Sequence, residues 1–254
     1  MHKLLVIAQN TFREAIRDKI LYSIFFFAFL LLLASLALGE LSLGHHIKVT
    51  KDLGLSAISF FGILIAIFTG VSLVHKEIDK RTLYTLLSKP IYRSQFVLGK
   101  YFGMLLTALT QLALLTALFS LLVLYQQKYI ESALFQAILL YWMEIMLITS
   151  IALFFSSFTT PFFSGVFTFS IFVIGRLMPE IEILLKRTTN PLIWFLLKIS
   201  TFLPNLDYLN IGQRVVHQES IPFDYILSSV TYTTLYIVLF LFFASLLFSR
   251  RDFI

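Results

Sequence analysis

The sequence predicts an all-α membrane protein with six transmembrane helices, on three observations. Of the 254 residues, 58% are hydrophobic and only 13% are charged, whereas a soluble domain carries about 25% charged residues. So few charges cannot cover a water-facing surface. The apolar residues are gathered in six stretches that can each cross a hydrocarbon core of about 30 Å. The basic residues lie beside these stretches and favour one side of the membrane.

The six predicted spans are filled mainly by Phe, Leu and Ile. They cover residues 20–38, 55–74, 101–125, 133–157, 162–178 and 225–248. Thr160 and Pro161 form a suitable cap and first-turn pair for the fifth span. We expect residues 1–254 to form a single transmembrane domain.

An amphipathic helix is predicted ahead of the first span, in residues 1–19. Its apolar face is formed by Leu5, Ala8, Phe12, Ile16 and Ile20, and its polar face includes Arg13, Glu14, Arg17 and Asp18. Such a helix lies in the membrane interface with its apolar face in lipid. The sequence leaves two roles open for this helix, which are membrane anchoring and contact with a partner.

The basic residues predict that both termini are cytoplasmic. With six spans, 12 of the 20 basic residues fall on one side: Lys3, Arg13, Arg17, Lys19, Lys76, Lys80, Arg81, Lys89, Arg93, Lys100, Arg250 and Arg251. The positive-inside rule makes that side cytoplasmic. An odd number of spans would put one basic terminus outside. His45, Gln127 and His217 are therefore expected outside.

An external helical segment is predicted over residues 179–224. Its first helix has acids in the first turn and Lys186 and Arg187 in the last, which matches the helix dipole. A second helix over residues 191–203 carries Lys198 and is too short to span comfortably. We expect both helices to be re-entrant or to lie on the outer leaflet.

The second cytoplasmic connection, residues 75–99, combines charges with an apolar edge. Leu83 and Leu86 suit a short amphipathic helix, which ends at Lys89 because the following Pro90 disfavours helix in the residue before it. The basic surplus would suit an interfacial helix under lipid headgroups. The acids Glu77 and Asp79 favour a protein partner instead.

Catalytic and cofactor-binding signatures are absent from the sequence. There is no HExxH or GxSxG motif, and the absence of cysteine excludes thiolate chemistry. Gly99 and Lys100 resemble the end of a phosphate-binding loop, but Ser94 stands where its first glycine is required. We therefore expect a non-catalytic chain with no metal or cofactor. Basic loops account for the net charge, so no nucleic-acid partner is expected.

Two polar residues inside the predicted spans are candidates for an interhelix contact or a translocation path. They are Gln111 in the third span and Glu144 deep in the fourth. Glu144 has three alternatives: it is protonated, it pairs with a polar residue such as Gln111, or it faces an aqueous path. Gly99 and Gly103 form a small-residue motif that favours close helix packing.

Several segments together resemble the ABC type-2 exporter permeases, in particular the branch that includes the permease for nitrous-oxide reductase maturation. The resembling segments are residues 77–93 with Gly99-Lys100, residues 10–18, residues 204–207 and residues 250–252. Residues 10–18 resemble the amphipathic elbow helix of that family. The resemblance covers essentially the whole chain.

The resemblance implies a permease in the cytoplasmic (inner) membrane of a prokaryote, paired with a second permease that is a copy or a paralogue. Two cytosolic ATPase subunits would bind ATP and Mg²⁺ and dock on this chain. The residues implied in docking are Arg13, Glu14, Arg17, Asp18, Glu77, Asp79, Arg81, Thr82, Leu83, Leu86, Lys89, Pro90 and Arg93. The resemblance does not identify the substrate of this chain, since the family exports many kinds of molecule.

Two other classes compete with this interpretation. An ion-coupled carrier needs ionisable residues within the spans and often internal repeats, and we found only Glu144 deep in a span. A cofactor-binding membrane subunit lacks the residues that would hold a cofactor.

Overall fold

The structure is a computed structural model that describes residues 2–42, 46–79, 93–129, 131–187, 190–217 and 219–250. Within these ranges all regular elements are helices, as the sequence predicts. They are α1 (His2–Ile16), α2 (Lys19–Leu41), α3 (His46–Asp79), α4 (Arg93–Gln127), α5 (Ser132–Ser156), α6 (Pro161–Arg176), α7 (Met178–Arg187), α8 (Pro191–Ser200), a 3-10 turn (Asp207–Leu209), α9 (Gly212–Val216) and α10 (Phe223–Arg250).

Five described stretches are each long and apolar enough to cross a membrane. They are Lys19–Leu41, His46–Val71, Ser94–Gln127, Ser132–Ser156 and Phe223–Ser249. A sixth crossing requires α6 and α7 to be counted together, although their axes differ by 65°. The predicted fifth span, residues 162–178, is therefore not one straight helix.

The bend between α6 and α7 follows from a proline. Pro179 has no backbone N–H, so the carbonyl of Gly175 loses the helical donor four residues ahead, and a sharp bend results. That carbonyl instead accepts a hydrogen bond of 3.0 Å from the backbone N–H of Leu206. The bend thus creates an attachment point for a later part of the chain.

Helix α1 packs along the start of α4 at two glycines. A Cβ atom on Gly99 would lie 2.8 Å from the Ile7 side chain, and one on Gly103 would lie 2.5 Å from Thr11 Cβ. The small-residue motif is thereby confirmed as a packing motif. The predicted apolar face of α1 is divided, because Ala8 is buried while Leu5 is 66% exposed. Close approach to glycines selects the face with Thr11, and leaves Leu5 outside.

The helices define two ends of the bundle. At one end the rings of Phe96 and Phe248 stack with centroids 5.2 Å apart, so α10 ends beside the start of α4 and near α1. We call this the basic end. At the opposite end, Lys51 Nζ and Glu131 Oε1 are 2.9 Å apart and join α3 to the start of α5. Helix α6 begins at the basic end, at Pro161. Helix α10 begins at the opposite end.

Residues 204–216, which we call the return segment, fold back against the bundle after α8. Leu206, Leu209 and Val215 in this segment are fully buried, and α9 contacts both α3 and α5. The two helices predicted within residues 179–224 are present as α7 and α8. The burial of the return segment was not predicted.

Candidate functional site

A buried polar cluster joins three helices in the middle of the bundle. Arg176 Nη2, at the end of α6, donates to Glu144 Oε2 of α5 at 2.9 Å and to Ser59 Oγ of α3 at 2.6 Å. The Ser59 hydroxyl in turn lies 3.3 Å from Glu144 Oε2. The side chain of Glu144 is 0% exposed and that of Arg176 is 17% exposed. The polar cluster, as we call these residues, therefore contains a nearly dry ion pair.

The polar cluster lies far from both ends of α5. Glu144 is twelve residues from each end of Ser132–Ser156, which is about 18 Å at about 1.5 Å per residue. An isolated charge at such a depth costs about 2.5–3.5 kcal/mol on insertion scales. Arg176 offsets the charge of Glu144, and its own charge lies at the C-terminus of α6, where the helix dipole favours a cation. The guanidinium carbon of Arg176 also lies 5.7 Å from the centroid of the Phe172 ring.

Of the three alternatives for Glu144, the structure shows a bond between helices, but Gln111, the example considered, is not the partner. The hydrogen-bond partners of Glu144 are Arg176 and Ser59, and Gln111 Oε1 has no hydrogen-bond partner within the described part of the chain. Glu144 does bond between helices, but to α3 and α6 rather than to α4. The structure does not test a role in translocation for either residue.

Arg176 is the functional candidate that the sequence analysis missed. It lies two residues before the end of the predicted span over residues 162–178, where a basic residue ordinarily extends to the interface. Because α6 starts at Pro161 and ends at the bend, Arg176 instead lies level with the middle of α5. Opposite charges in two apolar spans were the signal that could have paired Arg176 with Glu144.

The return segment closes over the polar cluster. The Tyr141 hydroxyl, one helical turn before Glu144, lies 3.4 Å from Asn210 Oδ1. A Cβ atom on Gly212 would lie 2.6 Å from the same hydroxyl, so a larger residue there would have to displace it. The backbone N–H of Leu206 bonds to the carbonyl of Gly175, the residue before Arg176. The return segment thus lies against both α5 and the end of α6.

An apolar groove of about 500 Å³ runs between α3 and α6. Its lining residues are Leu64, Ile67, Phe68, Val71, Pro161, Phe162, Gly165, Val166, Phe169 and Ser170. Phe162, Phe169 and Arg176 are spaced by seven residues and share one face of α6. The groove therefore lies on the face of α6 that ends at the polar cluster.

The predicted docking residues are only partly described. Arg81, Thr82, Leu83, Leu86, Lys89 and Pro90 lie outside the described residues. Glu77 and Asp79 belong to the last turn of α3, and Arg93 opens α4. The structure therefore places these last three residues at the helix ends that flank the connection.

The docking residues predicted on and after α1 are all within the described ranges. Arg13 and Arg17 are exposed, and Glu14 and Asp18 are half-buried. Asp18 also caps α2, because its carboxylate accepts a hydrogen bond of 3.1 Å from the N–H of Ile20. Asp18 thus has a local structural role that the sequence analysis did not assign.

A bundle of long apolar helices with a buried ion pair at its centre defines a multi-pass membrane protein. Residues 5–253 match the sequence model of the family described as ABC-2 family transporter protein. The chain therefore belongs to the ABC-2 transporter family, whose members are in general non-catalytic transmembrane subunits that normally work with a cytosolic ATPase. No curated protein matches the chain.

Proposed function

We propose that this chain is the membrane-spanning subunit of an ATP-driven exporter whose ATPase is a separate protein. The observation that carries the proposal is the family match over residues 5–253. The sequence has Ser94 where a phosphate-binding loop needs glycine, so ATP and Mg²⁺ are assigned to the partner. Two ATPase subunits would act on two permeases, the second being a copy or a paralogue. The motifs favour the branch that serves nitrous-oxide reductase maturation.

We propose that the ATPase docks on α1, as the elbow helix, and on the connection between α3 and α4. Both surfaces converge on the first turns of α4. Gly99 and Gly103 hold α1 tightly against those turns, and the connection leads into them at Arg93. Exposed Arg13 and Arg17 supply charge that can attract a partner. A displacement of either surface would therefore be passed directly to α4.

We propose a location in the cytoplasmic membrane of a prokaryote, with six crossings and both termini cytoplasmic. The stacking of Phe96 on Phe248 supports an even number of crossings, because the last span returns to the basic end where α1 lies. The positive-inside rule then assigns the basic end to the cytoplasm. On this topology the segment from α6 to α9 is one interrupted crossing that ends outside.

Single cysteines placed in this cysteine-free chain test the topology. Cysteines replacing His45, Gln127 and His217 should react in intact cells with an impermeant maleimide, because these positions are expected outside. A cysteine replacing Arg13 should react only after the cells are opened. His45 lies outside the described residues, whereas Gln127 and His217 are at the opposite end of the bundle. Protection at position 217 in intact cells would contradict the six-crossing topology.

Charge reversal beside the α3–α4 connection tests coupling to the ATPase. Glu77→Lys and Arg93→Glu should each leave the protein folded in the membrane but lower permease-stimulated ATP hydrolysis about tenfold, because both place the wrong charge at the docking surface. Glu182→Lys is the matched control, since Glu182 is exposed on α7 far from that surface. Unchanged hydrolysis and transport in both test variants would contradict the docking proposal.

The buried ion pair favours one second candidate, an ion-coupled carrier, because ionisable residues within spans are typical of such proteins. The two functions differ in what drives transport. An exporter of the proposed kind stops when ATP is depleted and continues when ionophores collapse the ion gradients. The opposite pattern would favour the carrier.

A further inference from the structure

The apolar groove between α3 and α6 opens sideways from the bundle. Its rim carries Phe68, Phe162 and Phe169, whose side chains are between 42% and 74% exposed. Gly165 lines the groove without a side chain, and a Cβ atom added there would meet only Val71 Cγ2, at 3.8 Å. An exposed apolar surface of this kind on a membrane-spanning bundle is covered either by lipid or by another protein.

The groove is suited to a ligand without polar groups. Among its lining residues in the described part of the chain, Ser170 is the polar one, and its hydroxyl already donates to the Val166 carbonyl at 2.8 Å. Ser164 and Thr168, on the same helix, are fully buried instead. Ser164 Oγ lies 2.8 Å from Ser156 Oγ of α5. The polar residues of α6 are thus turned toward α5, and the apolar ones form the groove.

The groove extends through one half of the membrane. It follows α6 from Pro161 to Ser170, which is about 14 Å at about 1.5 Å per residue. Half of a hydrocarbon core of about 30 Å is about 15 Å. Because α6 begins at the basic end, the groove starts at the membrane surface there and ends near the middle of the bilayer. Beyond it, the same face of α6 carries Arg176, whose guanidinium is bound to Glu144.

A lipid chain matches this shape better than a helix of a second permease does. A spanning helix crosses the whole hydrocarbon core, but the chain turns by 65° between α6 and α7, so a helix in the groove would lose one wall halfway across. Helices associate in lipid where small residues let their backbones approach, whereas large phenylalanines form this rim. An acyl chain needs only the half of the membrane through which the groove runs.

We propose that the groove binds one acyl chain of a phospholipid from the leaflet that borders the basic end. The chain enters at Pro161, and its methyl end reaches Ser170. Lipid tails are as apolar as the groove, so water exclusion does not favour the groove over the surrounding bilayer. Retention comes from the larger number of van der Waals contacts that a concave surface makes. The inference goes beyond the proposed function, and the proposed topology serves only to name this leaflet as the cytoplasmic one.

Photocrosslinking of the full-length protein in lipid nanodiscs tests the site. The nanodiscs contain phosphatidylethanolamine, phosphatidylglycerol and a small share of a phospholipid with a diazirine at one of two places on its acyl chain. A diazirine near the carbonyl end should label residues 161–162, and one at the methyl end should label residues 169–170, as located by mass spectrometry of the peptides. This order follows from the direction in which the chain enters.

Filling the groove should prevent the labelling. Gly165→Leu should lower it about fivefold, because the new side chain occupies the space above the glycine. Gly165→Ala adds one methyl group at ordinary contact distance and should stay within about twofold of the parent. Val238→Leu is the matched control for added apolar volume, since Val238 is exposed on α10 and does not line the groove. It should leave labelling unchanged.

A second variant keeps the test decisive if Gly165→Leu does not fold. Ser170 is exposed at the inner end of the groove, so Ser170→Phe should block labelling by the methyl-end diazirine and spare labelling by the carbonyl-end one. Equal loss with both diazirines, or with neither, would contradict the proposed placement of the chain.

Three further results would overturn the proposal. One is a reversed order of the two diazirines along α6. Another is labelling that responds alike to Gly165→Leu and Val238→Leu. The third is separation of a permease pair by Gly165→Leu, measured by native mass, with lipid labelling unchanged, because the groove would then belong to a second copy. The assay needs neither ATP nor the ATPase, so its failure leaves the proposed coupling standing, and loss of coupling would leave the labelling unchanged.

Discussion

Replacement of Arg176 by methionine is expected to lower the free energy of unfolding by about 3–5 kcal/mol. The change leaves the fully enclosed carboxylate of Glu144 without the cation that lies 2.9 Å away, and Ser59 loses its hydrogen-bond donor as well. Methionine keeps an unbranched stem but lacks the guanidinium, so the single variant loses some volume together with the charge. Unfolding of the purified protein in mixed micelles, followed by circular dichroism, measures the effect.

The double variant Glu144→Met with Arg176→Met separates the ion pair from general sensitivity of the site. Replacing both charges with apolar side chains removes the uncompensated carboxylate, so most of the stability should return. A double variant as unstable as Arg176→Met alone would show that the charges are not the main interaction between these two residues. The lower stability of the single variants would then be attributed to defects in packing.

Alanine at Gly103 is expected to abolish most of the ATPase stimulation by this subunit. The new Cβ would lie 2.5 Å from Thr11 Cβ and 2.7 Å from the Ala8 carbonyl oxygen. Backbone atoms cannot yield as a flexible side chain does, so α1 must move away from α4. Overpacking of this kind costs about 1–3 kcal/mol, and displacement of α1 also removes one of the two proposed docking surfaces. ATP hydrolysis by the reconstituted complex measures the loss.

Gly165→Ala is the matched control for Gly103→Ala. Its Cβ would have only one neighbour, Val71 Cγ2 at 3.8 Å, which is an ordinary contact. Because alanine favours helix over glycine by about 0.5–1 kcal/mol, this variant should be as stable as the parent or more so, with full stimulation. Equal effects of the two substitutions would contradict the assigned packing of α1.

The apolar stretches of the sequence correctly predicted which segments form helices, because burial in lipid demands long apolar runs. Gly99 and Gly103 likewise predicted close packing. The identity of the packed partner, α1, could not be predicted, since a small-residue motif marks a close face and not the helix that covers it. The same motif then determined which face of α1 packs against α4, while lipid contact by the face containing Leu5 stays a prediction.

The ion pair was missed for a geometric reason. Glu144 was recognised because its distance from both ends of a span can be counted along the sequence. The depth of Arg176 depends on where α6 begins and on the bend caused by Pro179, which span prediction alone does not supply. The coupling residues 81–90 lie outside the described residues, so their docking role stays a prediction.

ATP hydrolysis by the complex purified through a tag on this chain tests the central claim most directly. The account predicts that a second protein with a phosphate-binding loop is recovered with the tagged chain, and that the reconstituted complex hydrolyses ATP. It also predicts that Glu77→Lys lowers hydrolysis while Glu182→Lys does not. A folded, membrane-reconstituted preparation that transports substrate without hydrolysing ATP, and with no such second protein, would contradict the account.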